Sequence, residues 1–282
     1  MMNWISQPTF IVIGPGRTGS TMLYMAIKEH PQICTAKNIK ETNFFTDNYE
    51  KGFDWYKSFF DHCDNHVAIG EVSNTYIYDT QVPSRIHSFL PDVKLISVLR
   101  NPYDRLISAF NFRKRMGELD SSLNIFDALQ KHPDLISQNF YSDQLKCYLQ
   151  YFRSEQVLIA LYDDLKTAPS QFISMIFSFI GVDADFKTEA MKNRVNPSAA
   201  VRFQFLSRVI RKGADFLRRK EKYSTLGYLK SSVWFRNMLF KSDSGISDND
   251  RKELIEILRP EFQPHIEWVE LKTGRDLSHW YY

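Results

Sequence analysis

Apolar positions along the chain follow two rhythms. Short continuous runs, TFIVIG at 9–14, HVAIGEV at 66–72, VKLISVLR at 93–100 and QVLIALYDDL at 156–165, alternate with segments at 20–29, 102–114 and 170–180 that repeat like helices. An unbroken apolar run suits a strand buried on both faces, and parallel strands need a crossover, usually helical, between them. The pattern therefore predicts an α/β protein, a three-layer fold with a central parallel β-sheet flanked by helices. Ligands are expected at the carboxyl ends of the strands. From about 202 to 241 the chain turns basic, VRFQFLSRVIRKGADFLRRKEKY, without a strand signal. That stretch is expected to form a helical insertion or lid at about 200–245 on a single domain spanning 1–282. Pro260 is expected to break the helix beginning near Ser247, because it has no N–H to donate, with a last helix ending before GRDLSHWYY.

Composition narrows the possibilities without choosing among them. With 43% hydrophobic and 24% charged residues and a formal charge of +3, the chain reads as an ordinary globular protein. So small a charge does not call for a nucleic-acid or membrane partner, although a local basic groove for a small anion remains compatible with it. Cys34, Cys63 and Cys147 are odd in number and lack a C-x-x-C pairing, so neither a disulfide framework nor a zinc site is expected. The seven histidines form no H-x-x-x-H pair, and no metal is implied. The amino terminus has no basic segment leading into an apolar one, and no run reaches the roughly 18–20 apolar residues that span a bilayer. A cytoplasmic protein is the expectation.

Candidate chemistry concentrates at FIVIGPGRTGSTML, residues 10–23, where an apolar strand runs into a glycine-rich turn. Gly14, Gly16 and Gly19 satisfy the dinucleotide fingerprint, and Gly14 with Gly19 frames a Walker loop. The dinucleotide reading needs an acid roughly 20 residues on, where the chain has ICTAKNIKE, with lysines instead. The Walker reading needs Lys before the final Ser or Thr, but here the basic residue, Arg17, lies within the loop. It also needs an Asp ending a neighbouring strand, whereas KLISVLRNP ends in Arg100. Two strand ends carrying cations suit a polyanion held without a metal.

On these motifs the chain resembles the sulfotransferases that use 3′-phosphoadenosine 5′-phosphosulfate, PAPS, and release adenosine 3′,5′-bisphosphate, PAP. GPGRTGSTML looks like their 5′-phosphosulfate loop and VLRNPYDRLISAF like their 3′-phosphate motif. KETNFF, GFDWYKSFF, GEVSNTYIY, YDDL and the closing GRDLSHW of bacterial members extend the likeness in order along most of the chain. The resemblance implies a P-loop-like fold in which Arg17, Thr18, Gly19, Ser20 and Thr21 hold the 5′-phosphosulfate. It further implies that Arg100 and Ser108 hold the 3′-phosphate, with Lys241 a candidate in a covering loop. Arg17 would also offset charge growing on the leaving oxygen, and Glu41, the acid of KETNFF, would be the base.

Two positions depart from the heparan-type pattern. Asn43 stands where the family often has His, and Val72 where it has Lys, leaving a phosphosulfate contact to be supplied by another group such as Lys40 or Lys241. Phe44, Phe45 and Tyr76 adjoin these motifs and are expected to border the acceptor. The heparan-type likeness need not extend to the substrate; the closing GRDLSHW of bacterial members and these aromatic residues instead lead to the expectation of a transferase acting on a hydroxyl or amine nitrogen of a small-molecule metabolite, in the manner of a tailoring enzyme. The alternatives are a glycan sulfotransferase, a P-loop nucleotide kinase and a non-catalytic binding module.

Overall fold

Five parallel strands carry the apolar runs in a single sheet of order β2-β3-β1-β4-β5. They are β1 (Phe10–Gly14), β2 (Ile33–Thr35), β3 (Ala68–Val72), β4 (Lys94–Leu99) and β5 (Val157–Leu161), in a computed structural model that describes residues 7–191 and 246–282. The expected helical insertion at about 200–245, with Lys241, lies outside the described residues. Helices α1 (Ser20–Glu29), α2 (Phe53–Lys57), α3 (Val82–Phe89), α4 (Pro102–Arg115) and α5 (Ile125–Lys131) precede α6 (Asp134–Ser137), α7 (Tyr141–Leu149), α8 (Tyr162–Thr167) and α9 (Pro169–Ile180). A long α10 spans Asp248–Thr273.

The described residues fall into two compact units, 7–100 with 141–191, and 101–140 with 246–282. The first holds the sheet. All five residues of β1 and of β3 are buried, as a strand covered on both faces requires. Phe10 and Val12 of β1, Val72 of β3 and Ile96 and Val98 of β4 pack with Leu23, Ala26 and Ile27 of α1 and with Phe172, Ile176 and Phe177 of α9. Pairing of Phe10 with both Gly70 and Lys94 aligns the carboxyl ends of β1, β3 and β4.

In the second unit, Asn101 caps α4 by accepting from the backbone N–H groups of Tyr103 and Asp104, at 3.0 and 3.3 Å. Its amide also donates to the carbonyl of Trp280 in the closing GRDLSHW segment. Contrary to the break expected at Pro260, α10 runs unbroken through Pro260 and Pro264. Both prolines are exposed and lie four residues apart, so water can satisfy the carbonyls they leave without N–H partners. The opposite face buries Leu254, Leu258, Phe262, Ile266 and Val269, with Phe262 set edge-on against Tyr103 of α4 at 5.1 Å. At roughly 1.5–3 kcal/mol for each fully buried side chain, that face outweighs the proline penalty.

A second expectation is also corrected, because Cys34 and Cys63 form a disulfide with their Cα atoms 5.6 Å apart. Their spacing along the chain conceals a neighbourhood created by the sheet. Cys34 lies opposite Ile69 in the β2–β3 register, and the Lys37 N–H donates to the Phe59 carbonyl at 2.9 Å. Cys147 is the cysteine outside the bond. Closing a loop of sequence separation 29 is worth about 3–4 kcal/mol through the unfolded chain. Cys34→Ser is therefore expected to lose roughly that much in urea unfolding without reductant, and none relative to wild type once reductant is present. Equal stability of the two proteins without reductant would show that the thiols do not pair.

Candidate active site

The glycine-rich loop joins β1 to α1 and is shaped by close approach. Gly14 has φ +108°, and a Cβ there would run into the backbone carbonyl of Asn74; Gly19 has φ +83°, and a Cβ there would strike Leu165. Arg17 adopts φ +71° although it is not glycine, which costs about 1–2 kcal/mol. The Thr18 hydroxyl donates to the Pro15 carbonyl at 2.8 Å, and the Gly16 N–H donates to the Tyr78 hydroxyl at 3.2 Å. Gly19 caps α1 without a side-chain hydrogen bond, and no acidic residue stands in the first turn. The helix therefore points the positive end of its dipole at the loop with no acidic side chain of its own first turn to meet it.

Residues 40–42 reach this loop from the segment after β2. The Lys40 ammonium donates to the Ser20 hydroxyl and to the Glu41 carboxylate, 3.2 Å in each case. Glu41 Oε1 also accepts from the Asn74 amide at 2.8 Å, and its side chain is 25% exposed. Asn74 Oδ1 is buried without a hydrogen-bond partner. Lys40 thus brings a cation to the loop, while Val72 packs within the sheet core. Asn43 takes the left-handed conformation, φ +48°, which asparagine tolerates better than most residues.

Behind these groups lies Glu71 of β3, 1% exposed. It accepts from the Thr42 N–H and hydroxyl at 3.2 and 2.7 Å, from the Ser73 hydroxyl at 2.8 Å, and from the Tyr56 and Tyr76 hydroxyls at 3.0 and 2.9 Å. The polar centre is jacketed by aromatic rings, with Phe44 stacked on Tyr56 at 4.8 Å and Phe45 edge-on to Tyr76 at 5.6 Å. Phe44, Phe45 and Tyr76 are fully buried, which places them behind the site rather than along an open wall.

The sequence-predicted residues are thus distributed unevenly. Arg17, Thr18, Gly19, Ser20, Thr21 and Glu41 share the first unit with Arg100, whose guanidinium donates to the Arg17 carbonyl at 3.3 Å and lies 5.0 Å from the Tyr162 ring centroid. Ser108 is 7% exposed on α4 in the second unit. Sequence reasoning missed Asn74, whose only signal was its place in GEVSNTYIY beside the backbone approach at Gly14. It also left open the role of Glu71, since neighbours along the chain do not reveal five donors.

A parallel sheet with a glycine-rich loop from β1 into α1 is the arrangement of a P-loop-like fold. The family model for the sulfotransferase domain matches residues 7–204, and the chain belongs to the PAPS-dependent sulfotransferase family. It is 33% identical over 195 residues to bifunctional heparan sulfate N-deacetylase/N-sulfotransferase 2 of Bos taurus and 31% identical over 195 residues to heparan sulfate N-deacetylase/N-sulfotransferase 4 of Mus musculus. Each match covers 62% of this chain but spans only 22% of the relative. Among solved structures, a sulfotransferase from Alicyclobacillus acidocaldarius superposes with TM-score 0.70 at 22% identity, covering 98% of this chain and 99% of that one. Mouse sulfotransferase SULT7A1 complexed with PAP superposes with TM-score 0.51 at 15% identity, over 93% and 88% of the two chains. These likenesses show the same fold. Among the described residues, no helix is long and apolar enough to cross a membrane.

Burial raises the Glu71 carboxyl above its usual range, outweighing the donors from Thr42, Ser73, Tyr76 and Tyr56 that pull it down. The folded chain therefore binds that proton more tightly than the unfolded one. The resulting stability is fully present below the unfolded pKa and is lost as pH rises through the folded value. Urea midpoints from about pH 4 to about pH 7 are expected to fall more for wild type than for Glu71→Gln, which cannot ionise. Parallel curves would show that Glu71 does not titrate there.

Proposed function

We propose that this chain transfers the sulfuryl group of PAPS to a hydroxyl or amine nitrogen of a small-molecule acceptor and releases PAP. The observation that carries this reading is the meeting of Lys40 and Glu41 with the loop at Ser20, which gives one recess a cation, a carboxylate and an uncapped helix end. The donor set fits PAPS: first-turn N–H groups of α1 and the hydroxyls of Ser20 and Thr21 suit the 5′-phosphosulfate, with Arg17 and Lys40 supplying positive charge. Arg17 keeps a side chain where glycine would sit without strain, consistent with a guanidinium needed at that spot. Thr18 contributes to loop shape through its bond to Pro15. Arg100 is assigned to the 3′-phosphate; the same role for Ser108 rests on the motif VLRNPYDRLISAF. Lys241, the further candidate, lies outside the described residues.

In the transfer, a lone pair of the acceptor attacks sulfur as the bond from sulfur to the bridging oxygen of the 5′-phosphate breaks. PAP leaves with that electron pair. Glu41 takes the acceptor's proton, while Arg17 and Lys40 offset the charge gathering on the leaving oxygen. Asn74 holds the Glu41 carboxylate through its amide N–H. Nothing in this scheme requires a metal. A second reading, transfer to the amine of a glycan, is favoured by the 33% identity to a heparan sulfate N-sulfotransferase.

Arg100→Ala is expected to weaken PAP binding by about 1.5–3 kcal/mol in calorimetry and to affect adenosine 5′-phosphate little, since only PAP carries the 3′ group. Equal losses for both nucleotides would overturn the assignment. Glu41→Gln is expected to lower turnover by about 10²- to 10⁴-fold while donor affinity stays nearly unchanged; near wild-type turnover would transfer the proton to another group. Labelled PAPS offered with N-deacetylated heparosan and with a panel of small alcohols and amines separates the two acceptor readings. Labelling of the glycan alone would replace the metabolite reading and leave the transferase standing.

A further inference from the structure

The Cys34–Cys63 pair has a third potential metal ligand beside it, an imidazole, that neither the sheet nor the candidate active site uses. His62 Nε2 lies 3.4 Å from Cys34 Sγ and 4.0 Å from Cys63 Sγ. Cys34 and Cys63 are buried and His62 is exposed. Among the described residues this is the group of histidine, cysteine and acidic side chains whose potential ligand atoms gather closely, all within 4.8 Å of one another.

Tetrahedral zinc with Zn–S of about 2.3 Å and Zn–N of about 2.0–2.1 Å has an S–N edge of about 3.5 Å and an S–S edge of about 3.8 Å. The two S–N separations already bracket that edge. Only the covalent S–S bond is too short, and breaking it lets the sulfurs relax to van der Waals separation, close to the required S–S edge. The backbone keeps the thiols together once the bond opens. The Lys37 N–H to Phe59 carbonyl bond joins the two segments, the Val67 and Ala68 N–H groups donate to the Gln32 carbonyl, and the β2–β3 ladder holds Cys34 in register.

We propose that in the reduced protein Cys34, His62 and Cys63 bind a zinc-type divalent cation, with a fourth position open to solvent on the exposed His62 side. A thiol reductant opens the disulfide by exchange, giving two electrons to the two sulfurs and leaving as its own disulfide. Metal binding then releases both thiol protons, and His62 donates its lone pair as neutral imidazole. Two thiolates and one divalent cation sum to zero charge, which suits a site with two buried ligands. Either link, covalent or through the metal, ties together the ends of the segment that carries Lys40 and Glu41.

The test uses the full chain in a Cys147→Ser background, fully reduced without oxygen, with both remaining thiols counted by a chromogenic disulfide reagent. Titration with Co²⁺ is expected to give thiolate-to-metal charge-transfer bands and tetrahedral ligand-field bands that saturate at about one ion per chain, with Zn²⁺ displacing the colour. The oxidised protein is expected to show neither set of bands. His62→Ala, at an exposed position, is expected to fold and still form the disulfide while losing at least about 10-fold in Co²⁺ affinity. Absence of charge-transfer bands in reduced protein with two free thiols would overturn the proposal, as would an unchanged spectrum and affinity in His62→Ala. The readout is metal binding alone, so its failure leaves the sulfuryl-transfer reading untouched, and the converse holds.

Discussion

A carboxyl group removed from water must collect donors, and Glu71 collects them from three segments behind the glycine-rich loop. Its position on β3, opposite Ile11 of β1, fixes it to the centre of the sheet. Thr42 brings the chain just after Glu41, Tyr56 brings α2, and Ser73 and Tyr76 bring the turn that leads to Asn74. Each of these bonds is made to a group whose burial is costly, so losing any one leaves that group underserved and is worth about 1–3 kcal/mol. The network is also closed on itself, because the Tyr76 hydroxyl lies 3.1 Å from the Thr42 hydroxyl and accepts from the Phe45 N–H at 3.4 Å. A segment held at that many points has little freedom to carry Glu41 away from Asn74.

Electrostatics on the open side run the other way. The Arg17 guanidinium, the amino end of α1 and the ammonium of Lys40 beside Ser20 bring positive potential to the loop, with the Glu41 carboxylate 3.2 Å from Lys40. Such an arrangement is less favourable in isolation than with an anion bound, and that imbalance is what gives an anion its binding energy. Val72 accounts for the position of the cation. With a β-branched side chain buried in the sheet core, β3 offers no charge there, and Lys40 reaches the loop from the neighbouring segment instead.

Much of this was legible in the sequence because strands buried on both faces leave an unmistakable mark. The runs around Phe10, Ala68, Lys94 and Val157 became β1, β3, β4 and β5, and the helix expected at 20–29 is α1. The glycine loop was legible for a related reason, since Gly14 combines positive φ with close approach of the Asn74 backbone, and Gly19 combines positive φ with contact from the Leu165 side chain. What was hidden depended on tertiary neighbours. β2, three residues long at the sheet edge, is too short to show a period, and without it the proximity of Cys34 to Cys63 cannot be seen. Pro260 reads as a helix breaker until the apolar face opposite it is known to be buried. Phe44 and Phe45 read as a pocket wall because they follow Glu41, yet one packs on Tyr56 and the other on Tyr76.

The same segment therefore meets two constraints of different chemical kind. Between Cys34 and Cys63 the chain leaves the sheet, delivers Lys40 and Glu41, passes Thr42 to the buried carboxyl and returns through Tyr56. The crosslink acts mainly on the unfolded chain, by shrinking the number of conformations from which the segment must be recovered. The Glu71 network acts on the folded chain, because displacing Thr42 would leave a buried carboxyl short of two donors. Positioning a base within hydrogen-bond reach of a reacting proton demands the second kind of constraint, because the first leaves a loop of many residues free to shift once folded. Glu41, the base proposed above, stands directly beside Thr42, so the restraint is applied one residue from it.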